Sequence, residues 1–136
     1  MEIKDSYPVF VTNDLTSSTR YFVDWFAFEV IFESSWFVLL QAQGTDRLIA
    51  FMDESHPTSP PAIPAINKQA GVFLTLEVED AEAEFKRLSE AGLDIYYPLA
   101  NEAWGQKRFG LIDPNGMYID IVEQIAPQEG YWEKYI

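Results

Sequence analysis

Two carboxylates, Glu77 and Asp120, stand among apolar neighbours in stretches that alternate as strands do. A carboxylate turned into a sheet face is costly unless it has a partner or a task, so each is a candidate for pairing a ligand cation or for general-base chemistry. For Glu77 an internal partner, Arg108, is also at hand. Catalysis would need a second half, a nucleophile or an oxyanion site, and the Ser, Lys and Asp residues present are linked by no such spacing. Phe73, Tyr118 and Trp104 offer flat faces on which a planar ligand can stack, or they pack as core. With no cysteine in the chain, thiolate metal sites, disulfides and thiol catalysis are excluded. The one histidine, His56, lies in a proline-rich stretch, where exposure to solvent is a simpler role than metal ligation.

The element that must position Asp120 and Tyr118 is a hairpin. Lys107 to Ile112 and Met117 to Glu123 are rich in aromatic and β-branched residues, and Asp113-Pro114-Asn115-Gly116 between them gathers the residue types that set turn dihedrals. Trp104-Gly105 stands at its mouth. Alternation sends Met117, Ile119 and Ile121 to one face and Tyr118, Asp120 and Val122 to the other. In Val72 to Val78 the same rule sends Val72, Leu74, Leu76 and Val78 toward a helix, leaving Phe73, Thr75 and Glu77 opposite.

Further back, Tyr7 to Thr12 reads as a strand and Asn13-Asp14 as a helix cap. Tyr21, Phe22, Trp25 and Phe26 recur at helical spacing from Leu15 to about Phe28. Strands follow at Glu29 to Glu33, Trp36 to Gln41 and Arg47 to Met52. Four prolines in the next stretch exclude a sheet or a long helix and mark a linker. The pattern then restarts: a strand, a cap at Glu79-Asp80, a helix through Ala91 stopped by Gly92, and strands near Ile95, Phe109 and Ile119. Two βαβββ units in one chain form an internal repeat. This predicts an α+β domain with module 1 at about 6–53, a linker at 54–70, module 2 at about 71–125 and a tail at 126–136.

The chain's 136 residues, 48% of them apolar, suffice for one domain with its own core. A net charge of −13 argues against nucleic acid as a partner. No run is long and apolar enough to span a bilayer, and MEIKDSYP lacks the features of an export signal, so a cytoplasmic location is expected. Tyr131, Trp132, Tyr135 and Ile136 crowd the tail, which should dock on its own domain or on a second subunit.

The hairpin W-G-Q-x-R-F followed by x-x-D-P-N-G and an alternating strand resembles the last hairpin of the vicinal oxygen chelate superfamily. This superfamily includes glyoxalase I, extradiol dioxygenases and the bleomycin-resistance proteins. Trp104-Gly105 and Asp113-Pro114-x-Gly116 look most like its metal-free, antibiotic-binding branch. The resemblance implies two βαβββ modules forming a curved incomplete barrel, with the helices outside and the site on a concave inner face. Tyr7, Val9, Val11, Leu48, Ala50 and Met52 would then complete the inner lining.

Metal-dependent members place their ligands at positions that carry over to Tyr7, Ala50, Phe73 and Asp120, of which only Asp120 is a competent metal ligand. The resemblance therefore implies no cofactor, no catalytic residue and a small-molecule-binding protein, probing a flat aromatic ligand, cationic or neutral, with Tyr7, Met52, Phe73, Glu77, Trp104, Tyr118 and Asp120. Its rivals are a divergent metal-dependent lyase or dioxygenase and a dimeric interaction module with a vestigial pocket. Members of this length commonly form homodimers, and a homodimer is expected here.

Overall fold

The computed structural model describes residues 1, 2, 4–55 and 72–136; the proline-rich linker from residue 56 onward and His56 lie outside the described residues. The described residues fall into two units, one comprising the first module together with the turn Asp113–Gly116, the other comprising the rest of the second module and the tail.

In the first unit β1 (Val9–Thr12), α1 (Leu15–Trp25), β2 (Phe28–Glu33), β3 (Phe37–Ala42) and β4 (Leu48–Asp53) follow in order. The sheet runs β1-β4-β3-β2, parallel between β1 and β4 and antiparallel elsewhere. Asp14 caps α1 by accepting from Ser17 N at 3.0 Å, satisfying one of the amides a helix start leaves unpaired. The helix stops at Trp25, short of the expected Phe28, because Ala27 takes a positive φ of 54° and turns the chain into β2. Phe22, fully buried, packs against Phe26, Phe28 and Phe51, so Phe51 and its neighbour Phe10 lie on the helix side of the sheet. Alternation puts Val9, Val11, Ala50 and Met52 on the helix-free side.

The second unit repeats the order: β5 (Leu74–Glu77), α2 (Ala81–Glu90), β6 (Tyr97–Glu102), β7 (Gln106–Ile112) and β8 (Tyr118–Gln124), with the sheet running β5-β8-β7-β6. Asp80 caps α2 through Ala83 N at 2.9 Å, and Gly92, at φ 91°, ends it. Phe85 of α2 meets Phe109 edge-on at 5.4 Å, which fixes Phe109, Leu111, Ile119 and Ile121 as the helix side. The hairpin turn forms as its residues dictate: Gly116 N donates to Asp113 O, Asn115 N to the Asp113 side chain, and Gly116 adopts φ 82°. Asn115 Nδ2 also donates to Val11 O at 3.1 Å, which accounts for the turn's place in the first unit.

Three further sequence expectations need correction. The strand near Ile95 begins only at Tyr97, because Gly92 and the residues after it form the exit from α2. Val72 and Phe73 precede β5 rather than belong to it, and both are exposed. Finally β5 is an edge strand of its sheet, so Glu77 is solvent-exposed and not a buried carboxylate.

Candidate functional site

The helix-free face of the second sheet carries a compact polar and aromatic cluster. Register brings it together: Gly110 pairs with Asp120, Arg108 with Val122 and Ala100 with Arg108, so Arg108, Asp120 and Glu102 share one side. Arg108 Nε donates to Glu102 Oε1 at 3.1 Å and Nη1 to Asp120 Oδ2 at 3.3 Å. The Tyr118 hydroxyl donates to Asp120 Oδ1 at 3.1 Å, and the Tyr97 hydroxyl to Glu102 Oε1 at 2.6 Å. The rings of Tyr97 and Trp104 each stand 5.0 Å from the guanidinium carbon, close enough for cation–π attraction.

Electrostatics follow from this wiring. The hydrogen bond from Tyr97 holds the Glu102 carboxyl below its ordinary value; burial opposes it, and Arg108 adds to it. Burial works against the charge of Arg108, but the hydrogen bond to Glu102 and the charge of Asp120 outweigh it, and the net direction is up. Tyr118 is pushed up to about 12, first by burial and then by the Asp120 charge. These groups stabilise one another's resting protonation states, which suits a binding surface better than a proton shuttle.

Around the cluster the walls are aromatic. Phe73 and Tyr96 meet the Tyr118 ring at 5.9 and 6.1 Å, both edge-on. Gly110 makes room for that ring, since a Cβ there would collide with its Cε2 and Oη atoms. Trp104 is fixed from two directions: its Nε1 donates to Gln106 Oε1, and its carbonyl accepts from Trp132 Nε1, both at 3.0 Å. The tail thus docks on its own unit, with Gln128 N donating to Ala103 O at 2.8 Å as a second tie. Gly105, at φ 111°, lets the two segments approach, because a Cβ would sit 2.9 Å from Ile125 O.

Of the residues singled out from sequence, Phe73, Trp104, Tyr118 and Asp120 belong to this cluster or its walls. Glu77 lies on the same face at the sheet edge, where its Oε2 accepts from Gln124 Nε2 at 2.9 Å. Arg108 pairs with Asp120 and Glu102, and not with Glu77. Tyr7 and Met52 belong to the first unit, Tyr7 exposed and Met52 buried. Sequence reasoning missed Glu102, Tyr97 and Gly110. Counted back from a four-residue turn at Asp113-Pro114-Asn115-Gly116, the hairpin would set Phe109 opposite Asp120; the loop includes Met117 as well, and that one extra residue sets Gly110 there instead. Glu102 depends on the pairing of β6 with β7, and Tyr97 on the irregularity in that pairing between Tyr97 and Ala100, which no sequence signal announces.

A metal does not fit the positions where the resemblance would put one. Both Asp120 oxygens are already engaged by Arg108 and Tyr118, and Phe73 and Ala50 offer no donor atom. Among the described residues no group of three or more His, Asp or Glu side chains is arranged to hold an ion. No described helix is long and apolar enough to cross a membrane.

A family model described as "Glyoxalase/Bleomycin resistance protein/Dioxygenase superfamily" matches residues 6–121. No curated protein matches the sequence. Among solved structures, a member of the same superfamily from Sphaerobacter thermophilus aligns with a TM-score of 0.70 at 22% identity, covering 90% of this chain and 98% of that one. A glyoxalase/bleomycin resistance protein/dioxygenase from Nocardioides gives 0.73 at 17% identity, covering 96% of this chain and 87% of that one. A bleomycin-binding protein in complex with bleomycin gives 0.63 at 19% identity, covering 90% and 99%. At these identities the likeness is one of fold.

Proposed function

Because this chain belongs to the glyoxalase/bleomycin resistance protein/dioxygenase superfamily, we propose that it binds a small planar aromatic molecule, without a metal, on the helix-free face of its second sheet. The observation that carries the reading is the pair of rings, Tyr97 and Trp104, held over a hydrogen-bonded Glu102–Arg108–Asp120 cluster beside Tyr118 and Phe73. Apolar and aromatic walls with a few fixed polar groups are what small-molecule recognition needs. The bleomycin-binding relative supports a ligand of the same broad kind. A cationic substituent would meet Glu77, whose carboxylate is open to solvent, and not Asp120, which is already paired. Homodimer formation belongs to the same proposal, with Val72, Phe73 and Tyr96 as exposed apolar residues that a second copy would cover.

Tryptophan fluorescence against a library of cationic and neutral aromatics tests the reading. Trp104→Ala should weaken the ligand found by about 1–3 kcal/mol, as for other stacked aromatic contacts. Glu77→Gln should weaken only cationic ligands, by no more than about 1 kcal/mol, because the site is exposed. If Trp104→Ala changes folding stability but no ligand's affinity, Trp104 is a latch for the tail and the assignment is wrong.

A further inference from the structure

The Arg108 guanidinium has more hydrogen-bonding capacity than its neighbours use. An arginine offers five N–H donors. Nε is spent on Glu102 and Nη1 on Asp120, while among the described residues Nη2 makes no hydrogen bond. The side chain is 22% exposed, so Arg108 is not sealed from solvent. We infer that Nη2 of Arg108 recognises a neutral carbonyl oxygen on the planar ligand, a deepening that rests on the binding reading above.

Three features favour this ligand chemistry over the alternatives. Asp120, the carboxylate beside Arg108, is 4% exposed and has both oxygens engaged, so an internal guanidinium already stands where a ligand cation would. The donors that flank Arg108 are turned inward: Tyr97 to Glu102, Tyr118 to Asp120 and Trp104 to Gln106. At the centre of the cluster, away from Glu77 at the sheet edge, what Arg108 leaves for a ligand is a donor, and a donor selects an acceptor. The charge count then separates neutral from anionic acceptors. One guanidinium facing two carboxylates leaves a formal charge of −1, on a chain carrying −13, so a ligand carboxylate would add repulsion that an amide or ketone oxygen avoids. The rings of Tyr97 and Trp104 and the two carboxylates hold the guanidinium before the ligand arrives, which lowers the ordering cost of using it.

The test is isothermal titration calorimetry with three compounds of one outline: 2-naphthamide, 2-naphthoate and 2-naphthylmethylammonium. The amide should bind on the order of tenfold tighter than either charged compound, as expected for one hydrogen bond to a charged donor. That preference should disappear in the double variant Arg108→Met with Asp120→Asn, which removes the donor without stranding the Asp120 charge, and persist in Asp120→Asn alone. Should the double variant fail to fold, side-chain ¹⁵N resonances of Arg108 in the unmodified protein give an independent readout, and these should shift on adding 2-naphthamide. Tightest binding by the ammonium compound or the naphthoate, an amide preference kept in the double variant, or unmoved Arg108 resonances on saturation would overturn the inference while leaving the binding reading intact. Binding of none of the three would sink both.

Discussion

On the helix-free side of the first sheet, β1, β3 and β4 present Val9, Val11, Leu39, Ala50 and Met52, with a charge only at the outer strand β2, where Glu29 is exposed; the same side of the second sheet presents Glu102, Arg108 and Asp120 among Tyr97, Trp104 and Tyr118. Both sheets share strand order and both have a capped helix on the other side. The scaffold therefore does not dictate the chemistry. It supplies cross-strand neighbours at fixed spacing, and the residue types placed there decide whether a face packs or recognises. The helix sides differ as well, with rings filling the first (Phe10, Phe22, Phe28, Phe51) and mostly aliphatic side chains filling the second (Leu88, Leu111, Ile119, Ile121).

The largest effect should come from that aromatic core. Phe22 is fully buried and touches four other rings, so Phe22→Ala should cost about 3–5 kcal/mol in chemical denaturation. Its counterpart on α2, Leu88→Ala, removes fewer atoms and should cost about 2–4 kcal/mol. Equal losses would mean that the aromatic cluster adds nothing beyond its area.

Next in size is the polar cluster. Arg108→Met strands Asp120, which is 4% exposed, and should cost about 3 kcal/mol, the low end for breaking a buried pair because Arg108 is partly exposed. Adding Asp120→Asn should recover part of that loss, since the stranded charge goes with it. On the first sheet, Met52→Leu should cost less than about 1.5 kcal/mol, because a volume-conserving swap strands no charge. A double variant no more stable than Arg108→Met alone would show that Asp120 does not depend on Arg108 for its charge balance.

The pH dependence should separate the faces at low pH and unite them at high pH. Glu102 is held below its ordinary value of 4.5 by Tyr97 and Arg108. Its contribution is therefore present above that value and lost as pH falls through the lower folded one. Glu102→Gln should flatten the acid limb of stability accordingly. At high pH each unit has one tyrosine pushed up to about 12: Tyr21, by burial and then Asp113, and Tyr118, by burial and then Asp120. The neutral phenol is the favoured form, so this stability is present below the ordinary value of 10.0 and lost as pH rises toward 12. Tyr97, through its hydrogen bond to Glu102, and Tyr131, by burial, are raised as well, so among the late-titrating tyrosines seen by phenolate absorbance Tyr21→Phe and Tyr118→Phe should each remove one.

How much of this was legible in the sequence depends on range. Helix caps at Asp14 and Asp80, the turn at Asp113-Pro114-Asn115-Gly116 and the alternation of Tyr118, Asp120 and Val122 are local signals, and all have their counterparts in the fold. Strand order within a sheet is not local. Nothing in Leu74 to Glu77 says that the strand lies at an edge, so the exposure of Glu77 could not be read from its own neighbours. Nor could the placing of Tyr97 beside Glu102 and Arg108, because the β6–β7 pairing is irregular between Tyr97 and Ala100. The site was visible residue by residue, and its wiring was not.

The smallest effect sharpens the comparison most, because the chemistry is held constant. An arginine pairs with an aspartate in each unit: Arg20 with Asp24 at 3.7 Å, one turn apart on α1, and Arg108 with Asp120 at 3.3 Å, across the β7–β8 ladder. The first pair is 75% and 46% exposed, the second 22% and 5%. Water screens the exposed pair, and ordering two long side chains cancels most of the remaining attraction. Arg20→Ala should therefore change stability by less than about 0.5 kcal/mol, and added salt should erase even that. Salt screens the Arg108 pair only weakly, since Asp120 is out of solvent, and its loss should register at any ionic strength. A salt-insensitive cost above about 1 kcal/mol for Arg20→Ala would mean that its alkyl stem packs on α1, and that burial of charge is not what separates the two arginines.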